Sequence, residues 1–466
     1  MTLIKSISGI RGTIGGSPGS ALTPVDIVKF TAAYAAWIKS EKGEKVVIGR
    51  DGRTSGPMVS NLVSSTLSAM GLHVVDLGLA ATPTVEVAVV KEAADGGIIV
   101  TASHNPGQWN ALKLLNHRGE FISDAEGKGI LEAAERGDFI FASADQLGMV
   151  EYKDDYTDRH IRMILKYPLV DRKAVRKAGF RIVVDGINSV GGTAVPALLK
   201  ALGVKTVKKL NGRPTGMFAH DPEPLPHNLE GIRKRLSEGR FDLGIVVDPD
   251  VDRLVLLDET GQPFGEEYTL VAVADYMLSC YAGDQTTTVS NLSSSRALRD
   301  LTEAYGHRWI PAAVGEVNVV SKMKATNALI GGEGNGGIIV PDFHYGRDAL
   351  IGIALILTHL AKTGKPLSDL RREYPAYHIA KHKVDLAPTA DLAAVLQRIQ
   401  EKYANESLNL TDGVRIDFEQ RRAWVHLRRS NTEPVIRVIA EAPAQEEAEA
   451  LAAQMLADAR SFSGNP

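Results

Sequence analysis

Ser103 lies in the hexapeptide Thr101-Ala102-Ser103-His104-Asn105-Pro106, directly after the run Gly97-Ile98-Ile99-Val100. A short apolar run that ends in a Thr/Ser/Asn/Pro cluster reads as a buried strand stopping in a tight loop. Such a loop holds a hydroxyl on rigid support, beside an imidazole and near Lys113 in sequence. A serine presented in this way could carry a phosphoryl group. A plain Ser/Asn turn would be spelled alike, so the choice rests on what the other segments supply.

The next segment is Asp248-Pro249-Asp250-Val251-Asp252-Arg253, after Leu243-Gly244-Ile245-Val246-Val247. On an extended chain, carboxylates at i, i+2 and i+4 point the same way. Three converging carboxylates suit a hard divalent cation such as Mg2+, which completes its shell from phosphate or water. An EF-hand is excluded although Glu259 falls at its twelfth position, because Arg253 stands where that loop needs Gly. A solvated acidic turn is the bland alternative; three acids between two apolar runs would then repel without a cation. Two further loops add to this chemistry. Glu333 in Gly332-Glu333-Gly334-Asn335-Gly336 can accept bonds from vicinal hydroxyls while the glycines admit a ligand close to the backbone. Arg428-Arg429-Ser430-Asn431-Thr432-Glu433-Pro434 mixes guanidinium, hydroxyl, amide and backbone donors, as an anion site requires.

Together these four loops resemble the α-D-phosphohexomutase superfamily, most of all its phosphoglucosamine mutases and phosphomannomutase/phosphoglucomutases. The resemblance runs from Gly9-Ile10-Arg11-Gly12 to Arg437. It implies that Ser103 is a phosphoserine. It implies Mg2+ held by Asp248, Asp250, Asp252 and an oxygen on Ser103. Arg11, Arg253 and Lys113 match family positions near that phosphate. Glu333 and Asn335 would read the sugar. Arg429, Ser430, Asn431, Thr432 and Arg437 would hold the substrate's non-reacting phosphate. The implied reaction passes a phosphoryl group between the 6- and 1-positions of a hexose through a 1,6-bisphosphate, which is both intermediate and activator. Glucosamine phosphate is the favoured substrate, with mannose and glucose phosphates as the alternative. A metal-dependent phosphatase would not need the distal arginines, and a phosphosugar sensor would not need Ser103 with the three Asp.

The chain departs from the family pattern at several places, among them Asn335 for Ser and Ala313 where relatives often carry Thr. Gly337 replaces the His of Gly-Glu-x-Ser-Gly-His, leaving His104 and Lys113 as candidate proton carriers, with His344 a remote alternative. Ala111 replaces a Gly in the segment that leads to Lys113, and Ala resists positive φ.

The elements behind these loops read as alternating helices and strands. Helices are expected over residues 26–39, 57–70 and 83–93, with strands over 45–49, 73–77 and 97–100. The alternation restarts near 180 and again near 267. The tail reads as strands over 378–386, 413–418, 423–427 and 435–440, with helices over 390–403 and 444–459. The expected fold is three similar α/β domains with mixed sheets plus a smaller C-terminal α+β domain, around the central cleft that the resemblance implies. Their expected extents are 1–150, 151–258, 259–368 and 369–466. A length of 466 residues suits several cores rather than one. Formal net charge is −3, so no basic field calls for nucleic acid. No apolar run suits a membrane span and no signal segment opens the chain, which points to the cytoplasm. Cys280 is the single cysteine and reads as a core residue of an apolar helix.

Overall fold

The structure, a computed structural model, describes residues 2–6, 9–137, 139–385, 391–429 and 435–463. The chain divides into two compact units, Met1–Tyr276 with Asn335–Leu370, and Met277–Gly334 with Arg371–Pro466.

The first unit contains two sheets. One is seven-stranded and mixed, in the order Ile4–Ser6, Gly9–Thr13, Trp109–Asn116, Gly96–Val100, Lys45–Arg50, His73–Leu79 and Val150–Tyr152. Its central strands are apolar at consecutive positions (Val46, Val47 and Ile48; Ile98, Ile99 and Val100, all fully buried). Burial on both faces follows, as expected for parallel strands covered by helices. One covering helix, Pro24–Ser40, opens with Thr23 and Asp26 in a reciprocal capping box and Pro at its first position. The other sheet has the order Leu254–Leu257, Leu243–Val247, Arg181–Asp185 and Thr206–Leu210. Its first pair is antiparallel and the rest parallel.

The second unit contains a parallel ladder of Arg308–Ala312, Thr287–Asn291 and Ile330–Glu333. Its other sheet is antiparallel, in the order His378–Asp385, Val435–Ala442, Ala423–Arg429, Val414–Phe418 and Ser407–Asn409. The helices Leu392–Lys402 and Gln445–Phe462 accompany it, and Val395, Ile399, Leu451 and Met455 pack into its core. Three α/β layers and one α+β layer result.

The structure corrects two expectations. Cys280 is exposed, as the last residue of the helix Glu266–Cys280; the final turn of a helix need not share the buried face of its middle. The Asp248 to Arg253 segment is a turn and not extended chain. Val251 N donates to Asp248 O at 3.1 Å, and Val251 adopts φ +62°. The chain must reverse here because the flanking strands pair antiparallel. Ala111 causes no strain, since it lies in the regular strand Trp109–Asn116 opposite Arg11. Among the described residues no helix is long and apolar enough to cross a membrane.

Candidate active site

The strand Gly96–Val100 is buried throughout and delivers the chain to Ser103, which is 7% exposed and takes φ +49°. A non-glycine residue in the left-handed region is held there by its surroundings, and the hydrogen bonds identify them. Ser103 N donates to Thr101 Oγ1 at 2.9 Å, and Thr101 Oγ1 donates to Asp51 Oδ2 at 2.7 Å. Arg53, 1% exposed, pairs with the same Asp51 oxygen at 3.0 Å. Its two terminal nitrogens donate to the carbonyls of Ser103, Asn105, Pro106 and Trp109 at 2.6–2.9 Å. One buried guanidinium therefore fixes the whole loop. Sequence reasoning missed Asp51 and Arg53, although Asp51-Gly52-Arg53 follows the strand Lys45–Arg50 just as the other loops follow theirs.

Ser103 Oγ donates to Asp248 Oδ2 at 2.8 Å. Asp248, Asp250 and Asp252 are fully buried, and one oxygen from each lies within 4.8 Å of the others. Asp250 Oδ2 accepts from Thr82 Oγ1 at 2.6 Å and Lys113 Nζ at 2.8 Å. Asp252 Oδ2 accepts from Arg347 Nη2 at 2.7 Å and Lys113 Nζ at 3.4 Å. Asp250 Oδ1 and Asp252 Oδ1 are buried with no hydrogen-bond partner. Orphaned carboxylate oxygens of this kind are costly, and an all-oxygen set suits a hard divalent ion. The residues fit such an ion. Burial, together with Asp252 and Asp250, pushes the Asp248 carboxyl well above its ordinary range. Burial also acts to raise Asp250, but the Lys113 ammonium outweighs it and holds that carboxyl down.

The candidate groups around this centre differ in charge. Burial, aided by Arg253, lowers His104 to about 3, so its imidazole is neutral, and its Nδ1 is buried without a partner. Burial opposes charge on Lys113 as well, yet Asp250 and Asp252 prevail and keep it protonated. Arg11 sits opposite Ala111, two residues before Lys113 on that strand, so alternation brings Arg11 and Lys113 to one face. Arg253 N donates to Asp248 Oδ1 at 3.2 Å. His344 is engaged elsewhere, with Asp348 at 3.2 Å and Glu86 at 3.5 Å. Asn335 Oδ1 accepts from Gly337 N at 3.2 Å.

In the second unit Glu333 ends a strand and is buried. Its Oε1 accepts from Asn291 Nδ2 at 2.9 Å and from Gly315 N at 3.2 Å, with Gly315 at φ +113°. Asn291 is a positioning group that no local sequence pattern singles out. Ser430, Asn431 and Thr432 lie outside the described residues. Arg429 ends its strand exposed, paired with Ile436. Arg428 is paired with Arg437, and Arg437 with Lys383. Lys383, Arg437 and Arg428 therefore form a row on one face, and alternation places Arg429 on the other. Arg428 lies near enough to Asp412, Arg437 and Glu333 to feel their charge. Like charges directly opposite in a sheet repel, so this row favours a bound anion.

Comparison with known proteins gives a consistent result. Four segments match the phosphoglucomutase/phosphomannomutase domains: alpha/beta/alpha domain I over residues 3–141, domain II over 158–261, domain III over 265–377 and the C-terminal domain over 383–458. A phosphoglucomutase/phosphomannomutase of Thermococcus kodakarensis is 35% identical, over 94% of this chain and 95% of that protein. A probable phosphoglucosamine mutase of Methanopyrus kandleri is 32% identical, over 95% of each. Among solved structures, a phosphoglucomutase/phosphomannomutase family protein from Burkholderia thailandensis superposes with a TM-score of 0.85 at 25% identity, covering 99% of this chain and 98% of that one.

Proposed function

The chain belongs to the phosphoglucomutase/phosphomannomutase family, and we propose that its own reaction is the interconversion of glucosamine 6-phosphate and glucosamine 1-phosphate. The observation that supports phosphoryl transfer is the Ser103 Oγ–Asp248 bond of 2.8 Å, made inside a carboxylate triad that keeps two oxygens unpartnered, and the probable phosphoglucosamine mutase of Methanopyrus kandleri favours glucosamine.

Phospho-Ser103 is the donor. The bond from Ser103 Oγ to phosphorus breaks as a sugar hydroxyl oxygen forms its own bond to phosphorus, giving the hexose 1,6-bisphosphate. The sugar then turns end for end, and the other phosphoryl group returns to Ser103. His104, next to Ser103 and with its Nδ1 buried and unpartnered, is the candidate acceptor of the hydroxyl proton. Protonated Lys113 supplies fixed positive charge, as phosphoryl transfer demands. Asp248, Asp250 and Asp252, with an oxygen of the phosphoserine, would hold Mg2+, whose part is to draw charge from the phosphoryl oxygens. Glu333 reads sugar hydroxyls. The row of Lys383, Arg437 and Arg428, with the loop that follows Arg429, holds the phosphate that does not react. The setting is the cytoplasm, and the partner is a small phosphosugar. A second reading, turnover of glucose and mannose phosphates, is favoured by the name of the Thermococcus kodakarensis relative.

The test is the nucleophile. Ser103→Ala should fold, bind metal and lose sustained turnover of glucosamine 6-phosphate, glucose 1-phosphate and mannose 1-phosphate alike, with bisphosphate supplied. Intact mass of the active wild type should show one added phosphate that the variant lacks. Full turnover by Ser103→Ala would end this reading. The ranking of the three sugars in the wild type decides between glucosamine and the alternative.

A further inference from the structure

Gly337 stands where the family pattern has an imidazole, and the space above it is already taken. A Cβ at position 337 would fall 2.4 Å from Arg347 Cδ and 3.2 Å from Arg347 Cγ. Arg347 is 8% exposed, and it crosses Gly337 to donate from Nη2 to Asp252 Oδ2 at 2.7 Å. Its own backbone is anchored by the next residue. Asp348 is fully buried, accepts from Leu350 N at 2.7 Å at the start of the helix Ala349–Thr363, and lies 3.0 Å from His160 and 3.2 Å from His344. Asp348 N donates to Ile338 O at 2.9 Å, tying this segment to the strand that begins at Gly337.

We propose that Arg347 is a positioning residue for the metal loop, and that Gly337 is the absence of side chain that admits it. Arg347 and Lys113 both claim Asp252 Oδ2, which leaves Asp252 Oδ1, the oxygen without a partner, free to serve a cation. An imidazole gains and loses a proton near neutral pH, whereas a guanidinium does not. This chain therefore gives up a proton carrier at this face and gains a permanent charge that fixes a ligand. The inference rests on the metal role proposed for Asp248, Asp250 and Asp252, and not on which sugar reacts.

Absolute metal affinity is a poor readout, because deleting a cation beside the site also removes repulsion toward any divalent ion. The ratio between two divalent ions cancels that effect. Discrimination between a small ion and a large one depends on how rigidly the ligands are held. The probe is Mn2+ binding followed by electron paramagnetic resonance on metal-free protein, with Ca2+ as competitor. Wild type should prefer Mn2+. Arg347→Ala should lose about tenfold or more of that preference, with turnover down by about 10- to 100-fold. Arg347→Lys, which keeps a charge on a long stem, should recover part of both. Gly337→Ala should lose preference as Arg347→Ala does, because its Cβ displaces the arginine, and it should add nothing in the Arg347→Ala background. Unchanged discrimination in Arg347→Ala, or additive losses in the double variant, would overturn the proposal. A wild type that binds neither ion would sink the metal-site reading along with it, whereas intact metal binding without mutase turnover would leave it standing.

Discussion

Arg428→Ala and Arg429→Ala provide a sharp comparison, because the two neighbours look equivalent in sequence and sit on opposite faces of one strand. Arg428 shares its face with Arg437 and Lys383, and it is half-buried beside the charge of Glu333. A guanidinium–phosphate contact contributes about 1.5–3 kcal/mol, which is about 10- to 150-fold in affinity. Removing Arg428 should raise KM for glucosamine 6-phosphate and for the 1-phosphate by that factor, since either end of the sugar must present a phosphate to the same row. The fold should tolerate the change. The Arg428 pair with Asp412 spans 3.8 Å, and a loose pair of this kind contributes about 1 kcal/mol at most. Asp412 is not stranded either, because its Oδ2 still accepts from Val314 N at 3.0 Å. Arg428→Lys should recover only part of the loss, as an ammonium lacks the planar fork. Arg429→Ala, on the face opposite that row, should stay within about threefold of wild type. The assay is initial rate against each monophosphate with bisphosphate saturating. A severe defect in Arg429→Ala beside a normal Arg428→Ala would refute the face assignment. A defect toward one isomer alone would refute the shared phosphate site.

Two other perturbations probe the scaffold. Arg53→Met should cost about 3–5 kcal/mol by leaving the buried Asp51 carboxylate without its partner; an unchanged thermal midpoint would show that Arg53 does not organise the serine loop. Glu441, buried beside Trp424 and bonded to its Nε1 at 2.7 Å, is pushed up to about 7 by burial from an ordinary 4.5. A carboxyl raised in the folded state binds its proton more tightly there, so this group's contribution to stability is full below pH 4.5, falls as pH rises to about 7, and is flat above. The loss amounts to about 3 kcal/mol. Denaturant unfolding followed by tryptophan fluorescence should show this decline in wild type and a flatter profile in Glu441→Gln; the same slope in both would contradict it.

What could be read from the sequence was chemistry contiguous in the chain. The Ser103 loop, the Asp248 to Asp252 loop and the Glu333 loop each follow an apolar run, and a strand that ends in a polar cluster is visible one segment at a time. What could not be read was supplied through space. Arg53 reaches Ser103 O across fifty positions, Arg347 reaches Asp252 across ninety-five, and Asn291 reaches Glu333 across forty-two. No local pattern announces such a pair. The shape of the metal loop was misread because i, i+2, i+4 spacing suits an extended strand, whereas the carboxylates converge through a reversal at Val251. The Arg428 and Arg429 faces depend on pairing with Val435–Ala442, and register is a property of two strands. Cys280 was misplaced for a related reason, since apolar neighbours in sequence are not neighbours in packing at a helix end.

The bonding around the triad suggests why its chemistry can run in both directions. Asp248 commits Oδ2 to Ser103 and Oδ1 to the Arg253 N–H, whereas Asp250 commits only Oδ2, to Thr82 and Lys113, and Asp252 only Oδ2, to Arg347 and Lys113. Counted as the carboxylates that a bound divalent ion would hold, the three Asp face two side-chain cations bonded to them, leaving one net negative charge. Adding a divalent ion turns the balance to one positive. Adding a doubly charged phosphoryl group on Ser103 turns it to one negative again. A centre whose formal balance stays within one charge of zero would hold the donor and its acceptor at similar energy, which the proposed reversible transfer between two ends of one sugar requires.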